Sequence, residues 1–390
     1  MSMKKVALIN AAGYGSTGNI ASNIIKEYKG NIRLYCFYIK EDRENAYPIK
    51  INKVSDLISH AISRIDGKDG FHYHSFTKKL IKELDEFKPD LLHIHNLHGY
   101  YLNVPMLIDY INKNHIKVIW TLHDFWVMTG RCAHPSSCDK YLTGCHNCKR
   151  GDIYPYAIFH NEAKMFIKKK EMINSIEDLT FVSPSEYVKR EILTSHLKDK
   201  EIKVINNGIN TSLFFYEKND LKNQLNISKD KKVLLNVSMP IYKNKGVDYI
   251  NRLAEELDIN KYQIVCIGPL DNGITLNKNI INIPYVPQDQ LHLYYSMADL
   301  LINPTLADNY PTVDMEAICC ELPVVSFDTG GSKEIVDDTV GKITPYKDYD
   351  AFKNAVISVE KSQFKKESFL NKKEKFDQKH MIEQYLEFYK

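Results

Sequence analysis

Short apolar runs alternate with amphipathic segments along most of the chain. A first set of runs lies at 4–10, 32–39, 89–96, 117–124, 179–186 and 202–208. A second set lies at 231–238, 262–268, 281–286, 299–304 and 322–328. Buried runs that alternate with helical patterns are typical of parallel sheets covered by helices on both faces. The pattern therefore predicts an α/β protein with two Rossmann-like sheets.

The two sets of runs also predict the domain organisation. A chain of 390 residues is long enough for two domains of ordinary size. The polar stretch near 207–230, rich in Asn and Lys, separates the sets. We therefore expect an N-terminal domain over 1–208 and a C-terminal domain over 209–370, followed by a lysine-rich helix over 371–390.

Charge and composition narrow the function classes. The chain has 52 Lys and Arg against 49 Asp and Glu, a net charge of +3. This balance argues against a dedicated nucleic-acid-binding protein. The N-terminal sequence lacks the apolar region of a signal peptide, and no window has the ~18 apolar residues of a membrane span. We expect a cytoplasmic protein, which does not exclude one that rests on the inner face of a membrane.

Four cysteines lie within 17 residues, at Cys132, Cys138, Cys145 and Cys148. In a cytoplasmic chain, such a group indicates a metal site or a reduced structural cluster rather than disulfides. Thiolates of this number are suited to a four-coordinate structural zinc ion. The spacing is not that of a standard zinc finger, so a reduced loop without metal is the equal alternative.

A glycine-rich loop, with Gly13, Gly15 and Gly18 in a G-x-G-x-x-G pattern, stands between the first run and a helical segment. Such a loop brings backbone N–H groups toward a phosphate or a sugar hydroxyl. A dinucleotide site would also need an acidic residue about 20 positions later, and Glu41 and Asp42 lie near that distance. A tight turn without a ligand is a third interpretation.

The stretch at 303–336 carries the strongest chemical pattern. Asp308 and Glu316 lie eight residues apart, in a loop and in the helix that follows it. Ligands of open α/β sheets bind at the carboxyl ends of the strands, where two carboxylates can accept hydrogen bonds from a sugar diol. The turn at 329–331 can hold a diphosphate through its backbone N–H groups. The alternative is that Asp308 caps a turn and Glu316 is a solvated helix residue.

This stretch resembles the signature of family-4 retaining glycosyltransferases with the GT-B fold, E-x7-E followed by A-x3-G-x-P-V-V and a T-G-G turn. Asp308 stands at the place of the first Glu, and Glu321 stands where the family has Gly. The positions that match are Glu316, Ala317, Pro323, Val324 and Val325. Glu321 therefore alters a helix C-terminus at which glycine supplies the left-handed conformation.

The resemblance covers nearly the whole chain and includes PDLLHIHNLHGYYLN, TLHDFWVMTGRC, the four-cysteine segment, NNGINTSLF and KNKGVDYI. These motifs are similar to those of a subgroup in bacterial capsule, exopolysaccharide and colanic-acid-type assembly. The resemblance implies two domains that face each other across a cleft and a C-terminal helix that crosses back to the N-terminal domain. It also implies that the C-terminal domain binds the sugar nucleotide and the N-terminal domain presents the acceptor.

Roles for individual residues follow from the same resemblance. Glu316 would bind the nucleotide ribose and Asp308 the donor sugar. Lys245 would bind phosphate, with Lys243 as the nearest substitute for the family's Arg. His123 would contact the donor sugar, next to Asp124 as a further catalytic candidate. The other donor-binding candidates are Gly15, Asn309, Tyr310, Pro311, Thr312, Gly330 and Gly331, and the acceptor-side candidates are Gly13, Gly18, His95 and His98.

The implied reaction is transfer of a hexose from a nucleotide donor to a glycan acceptor, and UDP is the commonest carrier. The resemblance also implies retention at the anomeric carbon and no metal cofactor for the chemistry. A lipid-linked acceptor is one candidate, and the segment AKMFIKKKEMI at 163–173 is either a lipid-contacting surface or a solvated helix face. Three other functions remain open. They are a UDP-sugar 2-epimerase of the same architecture, an NAD-dependent oxidoreductase, and a catalytically silent glycosyltransferase-like partner.

Overall fold

The structure, a computed structural model, describes residues 3–13, 15–38, 46–48, 53–135, 138–148, 151 and 153–390. The chain divides into two compact units. Unit 1 comprises Met1–Asn206 and Ile382–Lys390, and unit 2 comprises Asn207–Met381. The predicted boundary at 208 lies two residues beyond this division. Of the predicted segment 371–390, only the last nine residues belong to unit 1.

The described part of unit 1 contains a seven-stranded parallel sheet in the order β3-β2-β1-β4-β5-β6-β7. The strands are β1 (Val6–Ala12), β2 (Ile32–Tyr38), β3 (Ala46–Pro48), β4 (Leu91–Ile94), β5 (Lys117–Thr121), β6 (Leu179–Ser183) and β7 (Glu201–Val204). The helices are α1 (Gly15–Glu27), α2 (Lys53–Asp66), α3 (His74–Phe87), α4 (Val104–Lys113), α5 (Glu162–Asn174) and α6 (Glu186–Leu193). A short 3-10 helix covers Lys140–Leu142.

Local sequence explains where two of these helices begin. Asn103 accepts a hydrogen bond from the N–H of Met106 at 3.1 Å, and Pro105 occupies the first turn of α4. Ser185 accepts one from the N–H of Val188 at 3.1 Å at the start of α6. Asn and Ser are preferred N-caps because their side-chain oxygens satisfy an otherwise unpaired backbone N–H group. Proline is tolerated in the first turn because it has no backbone N–H group that would need a partner.

Unit 2 contains a six-stranded parallel sheet in the order β10-β9-β8-β11-β12-β13. The strands are β8 (Lys232–Val237), β9 (Tyr262–Ile267), β10 (Ile280–Ile283), β11 (Leu300–Asn303), β12 (Val324–Phe327) and β13 (Gly341–Thr344). The helices are α7 (Leu221–Gln224), α8 (Val247–Glu256), α9 (Leu291–Met297), α10 (Thr312–Cys319), α11 (Ser332–Ile335), α12 (Tyr349–Ser358) and α13 (Lys366–Lys375). The last helix, α14 (Gln378–Phe388), begins in unit 2 and belongs to unit 1 from Ile382 onward. Short 3-10 helices cover Lys243–Lys245, Gln288–Gln290 and Lys361–Gln363.

The central strands of unit 2 are buried on both faces. In β8, Val233 and Leu235 pack into one hydrophobic cluster, and Leu234 packs into a second cluster. In β12, Val324 and Val325 divide between the same two clusters. Alternate side chains of a strand point to opposite faces of its sheet, so continuous apolar runs rather than alternating ones mark these strands.

The predicted fold class is confirmed. Each of the eleven predicted runs overlaps a strand, and the C-terminal segment packs in unit 1 through the buried side chains of Ile382 and Tyr385 in α14 and of Tyr389 just after it. Two strands were missed, β3 and β13, and both lie at the edge of a sheet. They are three and four residues long, and such short edge strands need no long apolar run.

Candidate active site residues in the two units

Three loops of unit 2 converge at the carboxyl edge of the sheet, after β8, β11 and β12. The N–H of Leu306 donates to the carbonyl of Asn244 at 2.8 Å, which joins the first two loops. The hydroxyl of Thr329 donates to the carbonyl of Thr305 at 2.8 Å, which joins the third. Strands β8 and β11 lie where the strand order reverses direction, which is the position at which open α/β sheets bind ligands.

Lys245 and Asp308 form an ion pair between two of these loops. The ammonium Nζ lies 2.6 Å from Oδ2 of Asp308. Burial by itself lowers the pKa of Lys245, but the charge and hydrogen bond of Asp308 outweigh it and raise that pKa. The cation is therefore fixed at the edge of the sheet. Lys243 is exposed, two residues earlier in the same 3-10 turn. The carboxylate of Asp308 thus contacts a cation that belongs to a second loop.

Glu316 is a buried carboxyl group on α10 rather than a solvated helix residue. Its Oε2 accepts a hydrogen bond from the hydroxyl of Tyr295 at 2.7 Å. Burial raises the pKa of Glu316 to about 7, while hydrogen bonds from Tyr295 and Thr312 act in the opposite direction. Tyr295 belongs to α9 and is fully buried. Sequence reasoning missed it because an apolar helix face gives no sign that one hydroxyl meets a carboxylate 21 residues away.

A third acidic residue, Asp314, lies between the two predicted ones and was also missed. It is fully buried on α10, where its Oδ1 accepts a hydrogen bond from Nδ2 of Asn303 at 2.8 Å. Within the described residues its Oδ2 has no hydrogen-bond partner. Burial, with Asp308 and Glu316 nearby, raises the pKa of Asp314 to about 8. This side chain is consequently a neutral acid at neutral pH.

The other donor-binding candidates of unit 2 surround these acids. Gly330 has a φ of 58°, and a Cβ placed on it would lie 1.6 Å from the carbonyl oxygen of Asp308. Only glycine therefore fits between the two loops. The N–H of Gly331 donates to the carbonyl of Asn309 at 3.1 Å. Tyr310 is buried, Pro311 immediately precedes α10, and Thr312 is its first residue.

Glu321 adopts the conformation that the family's glycine would supply. Its φ is 58°, just after the end of α10. Its carboxylate lies 2.7 Å from the ammonium of Lys366. The left-handed turn is thus retained with a residue that has a Cβ, which normally disfavours this region.

In unit 1, the glycine loop brings the first strand and helix close together. The N–H of Gly13 donates to the carbonyl of Tyr38 at 2.8 Å, and Gly15 is the first residue of α1. A Cβ on Gly18 would lie 2.6 Å from the carbonyl carbon of Gly13. Gly18 therefore permits close packing of the helix on the loop. Glu41 and Asp42, the acidic residues of the dinucleotide interpretation, lie outside the described residues.

His95 and His123 form a buried pair at the carboxyl ends of β4 and β5. Their Nδ1 and Nε2 atoms lie 2.8 Å apart, and the rings are stacked with centroids separated by 5.1 Å. Burial lowers the pKa of His123 to about 4 and lowers that of His95 as well. Both imidazoles are therefore neutral at neutral pH and can exchange hydrogen bonds with uncharged hydroxyl groups.

His98 and Asp124 form a charged pair beside these neutral rings. Nε2 of His98 contacts Oδ2 of Asp124, whose Oδ1 accepts the N–H of Trp126 at 2.8 Å. Burial alone would raise the pKa of Asp124 and lower that of His98. Their mutual interaction dominates and leaves the pKa of Asp124 at about 2 and that of His98 raised. His95, His98, His123 and Asp124 line one small pocket of unit 1.

His93 belongs to the adjoining hydrogen-bond network rather than to this pocket. Its Nδ1 lies 2.5 Å from the hydroxyl of Tyr389, and its Nε2 lies 2.8 Å from that of Thr121. The hydroxyls of Thr121 and Tyr385 lie 3.1 Å apart. The last residues of the chain are thus hydrogen-bonded to the strand ends that carry His95 and His123.

The four cysteines of the predicted zinc site are partly buried free thiols. Burial raises the pKa of Cys132 to about 11, with Cys148 and Cys145 among its electrostatic neighbours. Among the described residues, one group places three ligand atoms within 4.8 Å of one another: Cys148, His160 and Glu162. It shares only Cys148 with the predicted set, and Glu162 also pairs with Arg131 at 3.0 Å. Zinc at the four cysteines stays a prediction.

The structure divides the segment 163–173, predicted to be a lipid-contacting surface or a solvated helix face, between buried and exposed residues, with Ile167 and Lys168 exposed. Met165, Phe166 and Lys169 are buried in unit 1. The ammonium of Lys169 donates to the carbonyl of Trp126 at 2.6 Å and lies 3.9 Å from the Trp126 ring centroid. These two contacts satisfy the buried amino group, and burial lowers the pKa of Lys169 to about 7. None of the helices in the described ranges is both long and apolar enough to span a membrane.

Two family models match the chain, one after the other. Glycosyltransferase Family 4 matches residues 41–213, and Glycosyl transferases group 1 matches residues 217–378. WcaC of Escherichia coli (strain K12), named provisionally as a colanic acid biosynthesis glycosyl transferase, is 25% identical over 276 residues. That match spans 65% of this chain and 64% of WcaC. An uncharacterized 41.2 kDa protein in the cps region of Klebsiella pneumoniae is 23% identical over 328 residues, 80% of this chain and 81% of that protein.

Solved structures show the same fold at lower identity. Sucrose-phosphate synthase from Thermosynechococcus elongatus has a TM-score of 0.70 at 13% identity, covering 99% of this chain and 98% of that chain. Anabaena HepE in complex with UDP-glucose has a TM-score of 0.69 at 14% identity, covering 99% of both chains. The likeness shows that the fold is GT-B.

Proposed function

This chain belongs to the glycosyltransferases that carry a Family 4 domain followed by a group 1 domain, and from that premise we propose that it transfers a hexose from a UDP-sugar to a glycan acceptor in cell-surface polysaccharide synthesis. The observation that carries the proposal is the arrangement of Lys245, Asp308 and Glu316 at the carboxyl edge of the unit 2 sheet. The relatives named for colanic acid and the cps region support the biosynthetic setting.

The side chains of unit 2 suit a nucleotide diphosphate sugar. A buried carboxylate at Glu316 can accept two hydrogen bonds from a ribose diol, with Tyr295 holding one of its oxygens. Lys245 can bind the diphosphate, and Asp308, its present partner, can then accept a hydroxyl of the sugar. Positive charge at the diphosphate favours departure of the nucleotide, because negative charge develops there as the glycosidic bond breaks.

UDP is the carrier that we propose, and the HepE complex with UDP-glucose supports this choice by analogy of fold. Retention at the anomeric carbon is part of the proposal. The acceptor oxygen bonds to the anomeric carbon on the face that the nucleotide leaves, the carbon–phosphate oxygen bond breaks, and the departing phosphate takes the acceptor proton. Lys243 and Lys245 are the cations proposed to stabilise the phosphate without a metal ion.

Unit 1 supplies groups of the kind that sugar hydroxyls need. The neutral imidazole of His123 is proposed to hydrogen-bond the donor sugar, since its low pKa prevents it from carrying a competing positive charge. The charged pair of His98 and Asp124 is proposed to orient the acceptor. A lipid-linked glycan is the acceptor class that we favour.

The first test is a thermal-shift series with UDP-, GDP-, ADP- and dTDP-sugars and with NAD(H). A ligand that binds only the native state raises the apparent stability. We expect a shift with a UDP-sugar that is lost in Glu316→Gln and retained in Glu255→Gln, an exposed acidic residue of the same unit. A shift with NAD(H) alone, or none with any sugar nucleotide, would reject the proposal.

Product analysis then separates transfer from related reactions. Transfer requires the acceptor for rapid UDP release and yields the donor's anomeric configuration by NMR. An inverted anomer would refute retention, and UDP release with an epimerised sugar in the absence of acceptor would identify a 2-epimerase instead.

A structural zinc ion held by Cys132, Cys138, Cys145 and Cys148 is a separate proposal. It is supported by the ligand type and by the electrostatic proximity of these thiols. Metal analysis of tag-free protein should find one zinc per chain, lost in Cys138→Ser. Protein without zinc that unfolds at the same temperature in the presence and absence of chelator would exclude it.

A further inference from the structure

One face of α2 exposes large apolar side chains to solvent. Leu57, Ile58, Ile62 and Ile65 are all exposed, Leu57 by 72%. Ile62 and Ile65 lie four and seven positions after Ile58 and share its face of the α-helix, and Leu57 lies at the edge of that face. On another side of the helix, Ser63 is buried and His60 stacks on Tyr100 at 4.5 Å between centroids. The helix therefore packs on unit 1 by its polar side and turns an apolar face outward.

A second segment extends this apolar face. The N–H groups of Ile158 and Phe159 donate to the carbonyls of Arg64 and Ile65, at 2.9 and 2.8 Å. Both side chains point away from the core, with exposures of 68% and 61%. We call the six side chains Leu57, Ile58, Ile62, Ile65, Ile158 and Phe159 the α2 patch. Contiguous apolar surface supplied by two separate elements is typical of an interaction site.

Basic side chains border the α2 patch. The guanidinium of Arg64 lies 5.6 Å from the ring centroid of Tyr156, whose side chain is also exposed. Lys168 is exposed on α5 and lies 5.8 Å from the ring of Phe71. Nearby, the carboxylate of Asp66 is already engaged by Lys68 at 2.9 Å and by His72 at 3.1 Å. Arg64 is therefore a cation at the patch itself, and Lys168 is a second one on α5, the helix that follows the segment 158–159.

From this combination we propose that the α2 patch docks unit 1 on the surface of a membrane that contains anionic phospholipids. An amphipathic helix with apolar residues on one face and basic residues at its margin is suited to lie in the headgroup region. Exposed tyrosine is favoured at the same depth. A second copy of the chain fits less well, because a two-fold contact through this patch would bring two sets of these basic side chains into one interface.

The docking surface differs from the one expected at 163–173, where Met165 and Phe166 are buried and Ile167 is exposed. It does not depend on the proposed transferase reaction, since binding to vesicles needs neither donor nor acceptor. It complements that proposal by bringing unit 1 to the surface at which a lipid-linked glycan would be found.

The test is co-sedimentation of the full chain with vesicles of phosphatidylcholine, alone or mixed with phosphatidylglycerol. We expect binding to the mixed vesicles that weakens as salt is added. Ile158→Ser with Phe159→Ser should reduce the partition coefficient by roughly a hundredfold, since each of the two buried side chains is worth about a factor of ten. Arg64→Gln with Lys168→Gln should remove the preference for anionic vesicles. Ile259→Ser with Leu370→Ser, exposed apolar residues of unit 2, is the matched control and should bind like the wild type.

Three results would overturn the proposal. The first is no binding of the wild type to anionic vesicles, and the second is equal binding by the wild type and the Ile158 and Phe159 variant. The third is a dimer, seen by light scattering without vesicles, that the same variant loses, which would make a second copy the occupant. Thermal unfolding of every variant, with and without UDP-sugar, reports whether the fold and the donor site are intact independently of vesicle binding.

Discussion

Replacing Tyr295 with Phe removes one hydroxyl from the buried surroundings of Glu316 and tests how the donor site is tuned. That hydroxyl donates to Oε2 of Glu316 at 2.7 Å, and both side chains are buried. The hydrogen bond favours the ionised carboxylate, while burial, the larger effect, raises the pKa of Glu316 to about 7. Loss of the hydroxyl should therefore raise that pKa further.

The magnitude follows from the energy of a hydrogen bond to a charged group, which is about 1.5–3 kcal/mol. Since one pKa unit corresponds to roughly 1.4 kcal/mol, the titration midpoint of donor binding should move upward by about one to two units. If the ribose requires the carboxylate, donor affinity rises with pH through about 7 in the wild type. In Tyr295→Phe the same rise should occur at higher pH, so that KM for the donor near neutrality increases about tenfold with little change in kcat.

The assay is calorimetric or kinetic titration of UDP-sugar across the pH range from mildly acidic to alkaline. Tyr294→Phe, the half-buried neighbour on the same helix, is the matched control and should keep the wild-type midpoint. A purely structural role for Tyr295 would lower affinity equally at every pH. An unchanged midpoint in Tyr295→Phe would therefore refute the reasoning, whatever happens to the affinity itself.

Three further changes test other parts of unit 2. Asp314→Asn should stabilise the donor-free protein at alkaline pH but not near pH 4. Burial raises the pKa of Asp314 to about 8, so the wild-type acid favours the fold at low pH and loses that contribution as pH rises through about 8. A gain in melting temperature that is independent of pH would contradict this prediction. Glu321→Gly should raise the free energy of unfolding by about 0.5–1 kcal/mol in denaturant unfolding. Removing the Cβ from a residue in the left-handed conformation stabilises the fold by more than loss of the ion pair with Lys366 destabilises it. Glu321→Ala, which keeps a Cβ, should give no gain. Lys245→Met should raise KM for the donor roughly tenfold or more by removing a charged contact to the diphosphate, and equal kinetics in the variant and the wild type would exclude that contact.

Much of the architecture was predictable from the sequence because it depends on local patterns. The strands at 231–238 and 322–328 are buried on both faces, and this leaves short continuous apolar runs that can be recognised in the sequence. Asp308 and Glu316 could be located for a similar reason. Asp308 lies in the loop after β11 and Glu316 lies in the helix that follows this loop. Parallel strands end at the same edge of a sheet, so both residues are expected at that edge.

The tertiary structure decided which distant side chains contact each other and which protonation states the buried groups adopt. Tyr295 meets Glu316 from another helix, His98 meets Asp124 across 26 residues, and Tyr389 meets His93 across 296. The carboxyl of Asp314 and the ammonium of Lys169 are ordinary charged groups in the sequence, and only their burial changes their ionisation. Local periodicity determines which face of an element is apolar, whereas the pairing of distant side chains and their removal from water depend on how the elements pack.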